Sequence, residues 1–474
     1  MKLSEEQMYA RFQESDATCN GAFWVGVMTT GIYCLPSCHA RKALRKNVRF
    51  FPSIESACAA KLRPCQQCYP DDFARGQDPL LEQIETLARE VRQNPCNFST
   101  PRSLVRRSGF GATRLFELFR EHYHVTPGEF LLQSRLAAAQ THLVEHQATV
   151  SESAWHVGFR SLSTFHEHFR RRTGLSPSEY QRLGGDDAFT IRLPKHFSMT
   201  SLKRSLGRDP GSVTERLEGD TYAAMAQTQT GPAWLKLKID SETIDVFSSH
   251  ASQIEIHDIA VRLLGLRQEP RPFASLVAKM EMPQLIAGRR EMRISQTPSV
   301  FDGLVWSIIG QQIAFPFAAL LRSRLTKLLN EPFHEGLYAP PTPKQLALLD
   351  PESLLECQFS KQKTGYLIGL ARTIATGQLE LEALSSMSAT RVMRTLLAIK
   401  GLGPWSVNYV MMRSLGFLDC VPLGDTGVTS ALERFFGTPR PGVNETKKLM
   451  VRFSPFRSLA TAHLWQFPHP ANDS

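Results

Sequence analysis

The chain has 474 residues, more than one ordinary domain contains, so several domains are predicted. Hydrophobic residues make up 42%, and the absence of any run of 18 apolar residues excludes a membrane-spanning helix. A net charge of +10 and a pI of about 9.2 favour a polyanionic partner. The charged, amphipathic N-terminus is unlike a secretory signal, so we expect a cytoplasmic protein.

Residues 1–78 contain two close pairs of cysteines. Cys34 and Cys38 form a C-x3-C motif, and Cys65 and Cys68 form a C-x2-C motif. Such spacing lets four thiolates converge tetrahedrally on zinc, so we predict a small four-cysteine domain with one zinc ion. A structural zinc site is the default interpretation. Because a zinc-bound thiolate is also a nucleophile, a reactive site is the alternative.

A basic run follows the first pair and is suited to holding a phosphate backbone: Arg41, Lys42, Arg45, Lys46 and Arg49. The segments TTGIYCLPSCHARKALRKNVRFF and RPCQQC resemble the N-terminal domain of the Ada adaptive-response family. This resemblance implies stoichiometric transfer of a methyl group from a DNA methylphosphotriester to Cys34, with Cys38, Cys65 and Cys68 as companion zinc ligands. The cluster charge would change from about −2 to about −1, which would tighten DNA binding.

Residues 79–96 predict an amphipathic connector helix ending near Asn94-Pro95. An internal repeat follows, in which LVRRSGFGATRLFELFREHYHVTPGEF (104–130) matches AWHVGFRSLSTFHEHFRRRTGLSPSEY (154–180). Each copy has a helix, a glycine turn and a second helix with an apolar stripe. This pattern predicts two helix-turn-helix units. A plain helical bundle is the alternative, because an aromatic stripe at helical spacing is usually core.

The repeat resembles the AraC/XylS-type DNA-binding domain over residues 97–183. The resemblance implies an all-α domain whose two second helices, 112–122 and 162–172, enter successive major grooves. Arg170, Arg171 and Arg172 are expected nearer phosphates. The side chains expected to contact DNA are Thr113, Arg114, Ser163, Thr164 and Arg170.

The pattern changes after a short polar linker at 183–189. The segments FTIRL, TYAAMAQ, AWLKLKI and TIDVFSS predict a small antiparallel β-sheet domain, assigned to residues 188–280. From about residue 255 the pattern is helical to the end, which predicts an all-α domain over residues 281–474. The expected fold class is therefore multidomain α+β.

A glycine hairpin lies within the last domain. An apolar-periodic run ends at Gly401-Leu402-Gly403, and Pro404 then opens a second helix. Glycines let the backbone approach a ligand, and the N–H groups at the new helix start attract a phosphate. An ordinary αα-hairpin followed by Asp425 as a helix N-cap is the alternative.

The segments KGLGPWSVNY, LGD, VWSIIGQQI and RFSPFRSLATAHLW resemble AlkA-type 3-methyladenine DNA glycosylase II over about residues 188–468. This resemblance implies a helix-hairpin-helix glycosylase that flips alkylated purines of the 3-methyladenine and 7-methylguanine type out of DNA and hydrolyses their glycosidic bonds. Asp425 would be the catalytic carboxylate. The other implied roles are backbone binding by Gly401 and Gly403, a base pocket of Trp405, Tyr409 and Trp465, and a DNA wedge at Gln312.

The chemistry suits these residue types. An alkylated purine is cationic, so electron-rich ring faces hold it, and a desolvated carboxylate stabilises the oxocarbenium-like transition state. Lyase-competent relatives carry a lysine where this chain has Trp405, so a monofunctional enzyme is expected. No C-terminal four-cysteine cluster and no P-C-H-R element occur in the sequence. We therefore expect no iron–sulfur cluster, no organic cofactor and no O6-alkylguanine transfer.

Together these patterns predict a fused protein for DNA alkylation repair and adaptive-response regulation. Its expected partners are alkylated and promoter double-stranded DNA, with RNA polymerase as a candidate and no membrane. We expect a monomer associated with the nucleoid. One alternative is a transcriptional regulator whose glycosylase half only binds DNA. The other is a glycosylase for which the zinc and helix-turn-helix parts are targeting modules.

Overall fold

The computed structural model describes residues 3–16, 19–38, 40–76, 78–146, 148–184, 188–249 and 252–467. The chain divides into two compact units, Met1–Ala88 and Arg89–Ser474. Among the described helices, none is both long and apolar enough to cross a membrane.

The first unit is built around a four-stranded sheet of order β3-β1-β2-β4, in which only β2 and β4 are parallel. Sequence analysis predicted no strands here, because each is very short. The pairing of β2 with β4 places Cys65 beside the end of β2, and its N–H donates to the Tyr33 carbonyl at 3.0 Å. The elements are α1 Glu5–Gln13, β1 Trp24–Val27, β2 Ile32–Cys34, a 3₁₀ helix Arg45–Asn47, β3 Val48–Phe51, α2 Ile54–Ala59, β4 Arg63–Pro64, α3 Pro70–Ala74 and the boundary helix α4 Pro79–Gln93.

Six helices follow in the second unit, and a capping box marks the start of four of them. Thr126 and Glu129 cap the third of these helices reciprocally, and Ser176 and Glu179 cap the sixth, which explains the repeated T-P-G-E and S-P-S-E motifs. The predicted glycine turn of the second copy, Gly158, has φ +89°. The elements are a 3₁₀ helix Pro95–Asn97, α5 Pro101–Ser108, α6 Ala112–Tyr123, α7 Pro127–Glu145, α8 Val150–His156, α9 Leu162–Thr173, α10 Pro177–Gln181 and a 3₁₀ helix Arg182–Gly184.

An antiparallel five-stranded sheet of order β5-β9-β8-β7-β6 comes next. Four of its strands were predicted. The edge strand β6, with sequence ERLE, and the helix α11 were missed; the charged edge strand carries little apolar signal. The elements are β5 Ala188–Arg192, α11 Met199–Leu206, β6 Glu215–Glu218, β7 Thr221–Thr228, β8 Gly231–Ile239, β9 Thr243–Ser248, α12 Gln253–Leu264 and α13 Arg271–Lys279.

The rest of the chain, as far as residue 467, consists of helices, their connecting loops and one two-stranded hairpin. The N–H of Tyr338 in that hairpin donates to the Val213 carbonyl at 2.8 Å, which ties it to the segment leading into β6. The elements are a 3₁₀ helix Pro283–Ile286, α14 Val300–Ile309, α15 Phe315–Leu329, β10 Pro332–His334, β11 Leu337–Tyr338, α16 Pro343–Ala347, α17 Pro351–Glu356, α18 Lys361–Ala375, α19 Leu381–Leu384, α20 Ala389–Leu397, α21 Pro404–Arg413, α22 Thr426–Phe436, α23 Val443–Val451 and α24 Arg457–Trp465.

One apolar core joins the helices that carry the predicted site. Leu396 of α20, Val407 of α21, Leu432 of α22 and Leu464 of α24 are fully buried in it. Burial of side chains of this size contributes about 1.5–3 kcal/mol each. The hairpin and Asp425 therefore stand on packed helices rather than on a free loop.

Candidate functional site

The glycine hairpin connects α20 to α21. Gly401 has φ +98°, and a Cβ there would lie 2.4 Å from the Tyr366 ring, so two separate constraints require glycine. Gly403 N-caps α21 with open space around its Cα, and Pro404 takes the first helical position. The exposed N-terminus of α21 thus has room for a phosphate beside its backbone N–H groups.

Asp425 caps the N-terminus of α22 and is held by three donors. Its Oδ1 accepts from the Val428 N–H and from the Trp465 indole N–H, both at 2.9 Å. Its Oδ2 accepts from the Trp405 indole N–H at 3.0 Å. The N-cap alternative is therefore correct as a description of local structure, and the same carboxylate also faces two aromatic side chains.

Three aromatic rings lie beside Asp425. Trp405 and Tyr409, one turn apart on α21, are stacked with centroids 5.5 Å apart and planes at 20°. Trp465, from the end of α24, lies 6.2 Å from Tyr409. A Cβ on Gly427 would lie 3.2 Å from the Trp465 ring, so glycine there leaves room for the Trp465–Asp425 hydrogen bond.

These residues line one cleft of about 1580 Å³. Gln312, Gly401 and Gly403 also line it, so the structure brings together every residue predicted for the C-terminal site. Four arginines that sequence analysis missed also line the cleft. Two of them lie in or just after helix α11, which was not predicted. The four are Arg204, Arg208, Arg293 and Arg413.

Arg208 is the arginine most closely involved with the aromatic part of the cleft. Its guanidinium lies 4.3 Å from the centroid of the Phe315 ring, a cation–π arrangement. Burial lowers the pKa of Arg208, while the nearby Tyr409 and Asp425 oppose that shift. Arg208 therefore places positive charge close to the Asp425 carboxylate.

Gln312, the predicted wedge, is exposed and has φ +57°. The preceding Gln311 was missed by sequence analysis. Its side-chain amide donates to the Gly401 carbonyl at 2.7 Å and to the Ser406 hydroxyl at 3.0 Å. Lys363 holds the same loop by donating to the Ile309 carbonyl at 2.6 Å. The wedge loop and the hairpin are thus fastened to each other.

Replacing Gln311 with alanine is expected to lower the rate of the base release predicted from the sequence by about 10- to 100-fold, because misplacing a reacting group by about 1 Å costs that much. The hydrogen bonds to the Gly401 carbonyl and the Ser406 hydroxyl would be lost, so the loop of Gln312 and the glycine hairpin could move independently. The measurement is the single-turnover rate of base release, together with the thermal midpoint of unfolding.

Gln227→Ala is the matched control, since Gln227 also donates to a backbone carbonyl, that of Pro340 at 2.6 Å, outside the cleft. A similar loss of rate in both variants, with equal falls in thermal midpoint, would show that Gln311 acts only on stability.

The four predicted cysteines form a cluster in the first unit. Their Sγ atoms all lie within 4.8 Å of one another, and those of Cys38 and Cys65 are 4.0 Å apart. Four thiolates at about 2.3 Å from a tetrahedral zinc ion would be roughly 3.8 Å apart. The type, the number and the spacing of these sulfur donors therefore fit a zinc site.

Hydrogen bonds distinguish the four thiolates. Backbone N–H groups of Leu35 and Gln67 donate to Cys68 Sγ at 3.3 Å and to Cys65 Sγ at 3.4 Å, and the Ala40 N–H donates to Cys38 Sγ. Within the described ranges, Cys34 Sγ receives no such bond. An N–H donor withdraws charge from the sulfur atom that accepts its hydrogen bond.

The basic run near the cluster divides into two groups. Lys42 donates to the Cys38 carbonyl and lies 4.2 Å from the Phe12 ring centroid. Arg45 pairs with Glu5 at 2.6 Å. Both side chains therefore help to hold the first unit together. The members exposed to solvent are Arg41, Lys46 and Arg49.

The predicted DNA-contacting side chains of the repeat lie at the N-terminal halves of α6 and α9, apart from Arg170. Arg114 is half-buried and pairs with Glu117 at 3.2 Å. Arg172 differs from the others, because burial lowers its pKa to about 9. The exposed members are Thr113, Ser163, Thr164 and Arg170.

Three family models match the chain. Residues 7–71 match the metal-binding domain of Ada, and residues 104–183 match a helix-turn-helix domain. Residues 305–455 match the HhH-GPD superfamily of base excision DNA repair proteins. The first two matched segments contain the thiolate cluster and the repeat. The third contains the glycine hairpin, Trp405, Tyr409, Asp425 and Gln312 of the cleft, whereas Trp465 lies beyond its end.

Two relatives and one solved structure extend these matches. The probable bifunctional transcriptional activator/DNA repair enzyme AlkA of Mycobacterium tuberculosis is 25% identical over 98% of this chain and 97% of its own length. Regulatory protein ada of Salmonella typhimurium is 31% identical over 39% of this chain and 51% of its own. The 3-methyladenine DNA glycosylase structure from Archaeoglobus fulgidus shares the fold, with TM-score 0.53 and 22% identity over 59% of this chain and 97% of its own.

Proposed function

We propose that this chain, which combines an Ada-type zinc-binding domain, a helix-turn-helix domain and a helix-hairpin-helix base-excision-repair domain, repairs alkylated DNA and regulates the response to it. The helix-turn-helix and base-excision-repair regions both lie in its second unit, and the zinc-binding domain lies in the first. The proposed domains are a methyl acceptor at 1–78, a connector at 79–96, a tandem helix-turn-helix at 97–183, a β-sheet domain at 188–280 and a glycosylase domain at 281–474.

In the proposed repair reaction, the cleft hydrolyses the N-glycosidic bond of an alkylated purine. The flipped base stacks against Trp405, Tyr409 and Trp465, while Gln312 fills the gap left in the duplex. The C1′–N bond breaks and the electron pair leaves with the base. Asp425 stabilises the positive charge that develops on the sugar and orients water, whose oxygen bonds to C1′. The water proton passes to Asp425 or to solvent.

The single observation that best supports this reaction is the setting of Asp425. Each carboxylate oxygen accepts an indole N–H from a cleft tryptophan. A carboxylate fixed in this way needs no reorganisation when charge appears on the substrate, which is the condition for electrostatic catalysis.

The wild-type chain, incubated with methylated duplex DNA, is expected to release free 3-methyladenine and 7-methylguanine, measured by mass spectrometry. The strand should stay intact until alkali cleaves the abasic site, because Trp405 cannot form the Schiff base that a lysine would. DNA binding without any base release would favour a transcriptional regulator whose cleft only binds DNA. Strand cleavage without alkali would reveal lyase activity.

In the second proposed reaction, Cys34 attacks the methyl carbon of a DNA methylphosphotriester. The S–CH3 bond forms, the O–CH3 bond breaks, and the phosphodiester leaves as an anion. A single zinc ion held by Cys34, Cys38, Cys65 and Cys68 would keep the thiols deprotonated. No iron–sulfur cluster or organic cofactor is needed. The product thioether is stable, so each chain reacts once.

Regulation is proposed to follow from this methyl transfer. Methylated Cys34 lowers the negative charge facing DNA, which strengthens binding of the first unit to the phosphate backbone. The helix-turn-helix units would then hold a promoter, with RNA polymerase as a further partner. We propose that the chain acts as a monomer at the cytoplasmic nucleoid.

A further inference from the structure

The two second helices of the repeat, α6 and α9, end in equivalent left-handed residues. His124 follows α6 with φ +60°, and Gly174 follows α9 with φ +74°. The two positions are 50 residues apart, the offset of the repeat. Both helix ends contact the C-terminal part of the second unit, but at different places.

The end of α6 contacts the helix-hairpin-helix region. The Asp419 N–H donates to Nδ1 of His124 at 3.1 Å, and Nδ1 of His122 lies 2.8 Å from the Thr390 hydroxyl of α20. The His124 ring also packs edge-on against Phe417, with centroids 5.4 Å apart. Burial lowers the pKa of His124 to about 4, so its imidazole is neutral and can accept this hydrogen bond.

The end of α9 contacts the β-sheet region. The His257 ring N–H of α12 donates to the Thr173 carbonyl at 2.7 Å, and the Arg192 N–H of β5 donates to the Gly174 carbonyl at 2.9 Å. A Cβ at Gly174 would lie 2.4 Å from Ile191, so the approach is as close as glycine permits. The second helix-turn-helix unit is therefore also held against the rest of the second unit.

Both contacts leave the opposite helix ends exposed. Thr113 at the start of α6, and Ser163 and Thr164 at the start of α9, face solvent. In helix-turn-helix proteins the N-terminal residues of the second helix contact base edges. The C-terminal ends of α6 and α9 thus contact the rest of the second unit. Their N-terminal ends, which correspond to the base-contacting ends, remain exposed.

The distance between the two DNA-contacting regions is limited. At 1.5 Å per helical residue and at most about 3.5 Å per extended residue, the path from Gly403 through Thr390 and His122 to Thr113 spans at most about 50 Å. This length corresponds to roughly 15 base pairs of duplex. A single short duplex could therefore reach both regions.

We propose that the helix-turn-helix region is a fixed extension of the DNA surface of the cleft, so that one duplex contacts both and the tandem repeat strengthens binding at lesions. This inference rests on the proposed repair function. It assigns the repeat a part in repair in addition to promoter binding, and it predicts that the added contacts fall on one side of the lesion.

The test is hydroxyl-radical footprinting of the full chain on a duplex of about 40 base pairs with a central tetrahydrofuran abasic analogue, which requires no catalysis. The expected footprint is one-sided, with protection at the analogue and a second protected region within about 15 base pairs on one side. Symmetric protection, or protection at the analogue alone, would overturn the proposal.

Arg114→Ala combined with Arg170→Ala provides the second measurement. Loss of these two positive charges should erase the distal protection and reduce the slope of log Kd against log salt by about 2 on the long duplex. Binding to a duplex of about 12 base pairs should not change. The matched control, Arg216→Ala with Lys238→Ala, removes two charges from the five-stranded sheet and should leave both duplexes unaffected.

Unchanged distal protection in the Arg114/Arg170 variant would also contradict the proposal. Failure of the repair function itself would look different. In that case the wild-type chain would show no preference for the duplex with the abasic analogue over an unmodified duplex, whatever the state of the repeat.

Discussion

Replacing Asp425 with asparagine is expected to lower the single-turnover rate of base release by about a thousandfold or more, equivalent to about 4 kcal/mol of transition-state stabilisation. The variant loses the negative charge that opposes the oxocarbenium-like sugar. It also loses a hydrogen bond, because Trp405 and Trp465 donate to different oxygens of Asp425 and an amide has only one oxygen acceptor.

DNA binding should persist in this variant, since removing a carboxylate from a phosphate-binding cleft reduces repulsion. The rate of base release and the Kd for a duplex with an abasic analogue are measured together. Asp350→Asn is the matched control, because Asp350 N-caps α17 by accepting from the Glu352 N–H at 3.2 Å and does not line the cleft. A rate within about tenfold of wild type for Asp425→Asn would contradict the catalytic assignment.

The parts of the site that are local in the chain could be predicted from sequence. The glycines and Pro404 define a helix-hairpin-helix turn, and a spacing of four residues places Trp405 and Tyr409 on one helix face. Paired cysteine spacing likewise predicted the thiolate cluster. In each of these cases, turn chemistry or helical periodicity fixes the geometry without help from distant residues.

Contacts between distant residues could not be predicted. Gln311 and Gly401 are 90 residues apart, so their hydrogen bond leaves no periodic signal in the sequence. The parallel pairing of β2 with the two-residue strand β4 also leaves no signal in the sequence, although it brings the cysteine pairs together. The repeat predicted two equivalent units but gave no indication that both dock through equivalent helix ends.

Charge was the least reliable guide. The run from Arg41 to Arg49 resembles a solvated phosphate-binding face, yet two of its members contact residues of α1. Lys42 lies over Phe12, and Arg45 pairs with Glu5, 40 residues away. Long basic side chains can bury their stems against aromatic rings, and only the tertiary structure shows which of them do so.

Incubation of the wild-type chain with DNA containing methylphosphotriesters is expected to add one methyl group, about 14 Da, to Cys34 and to no other cysteine. Solvent exposure and electron density on sulfur favour different cysteines as the methyl acceptor. Cys68 is the most exposed of the four ligands, whereas Cys34 is only 4% exposed. Cys68 accepts a backbone N–H, however, and Cys34 accepts none among the described residues, so electron density favours Cys34.

Peptide mapping by mass spectrometry separates the two possibilities without any substitution that could unfold the zinc domain. A methyl group on Cys68 would show that exposure governs the reaction, and an unmodified cluster would leave only a structural zinc site. Chelation of zinc beforehand should abolish transfer, because the thiols regain protons. The matched controls are Cys58→Ser and Cys96→Ser, which remove the two exposed cysteines outside the cluster and should leave transfer from DNA unchanged. If transfer depended on exposure alone, these two thiols would be methylated before any thiolate of the cluster.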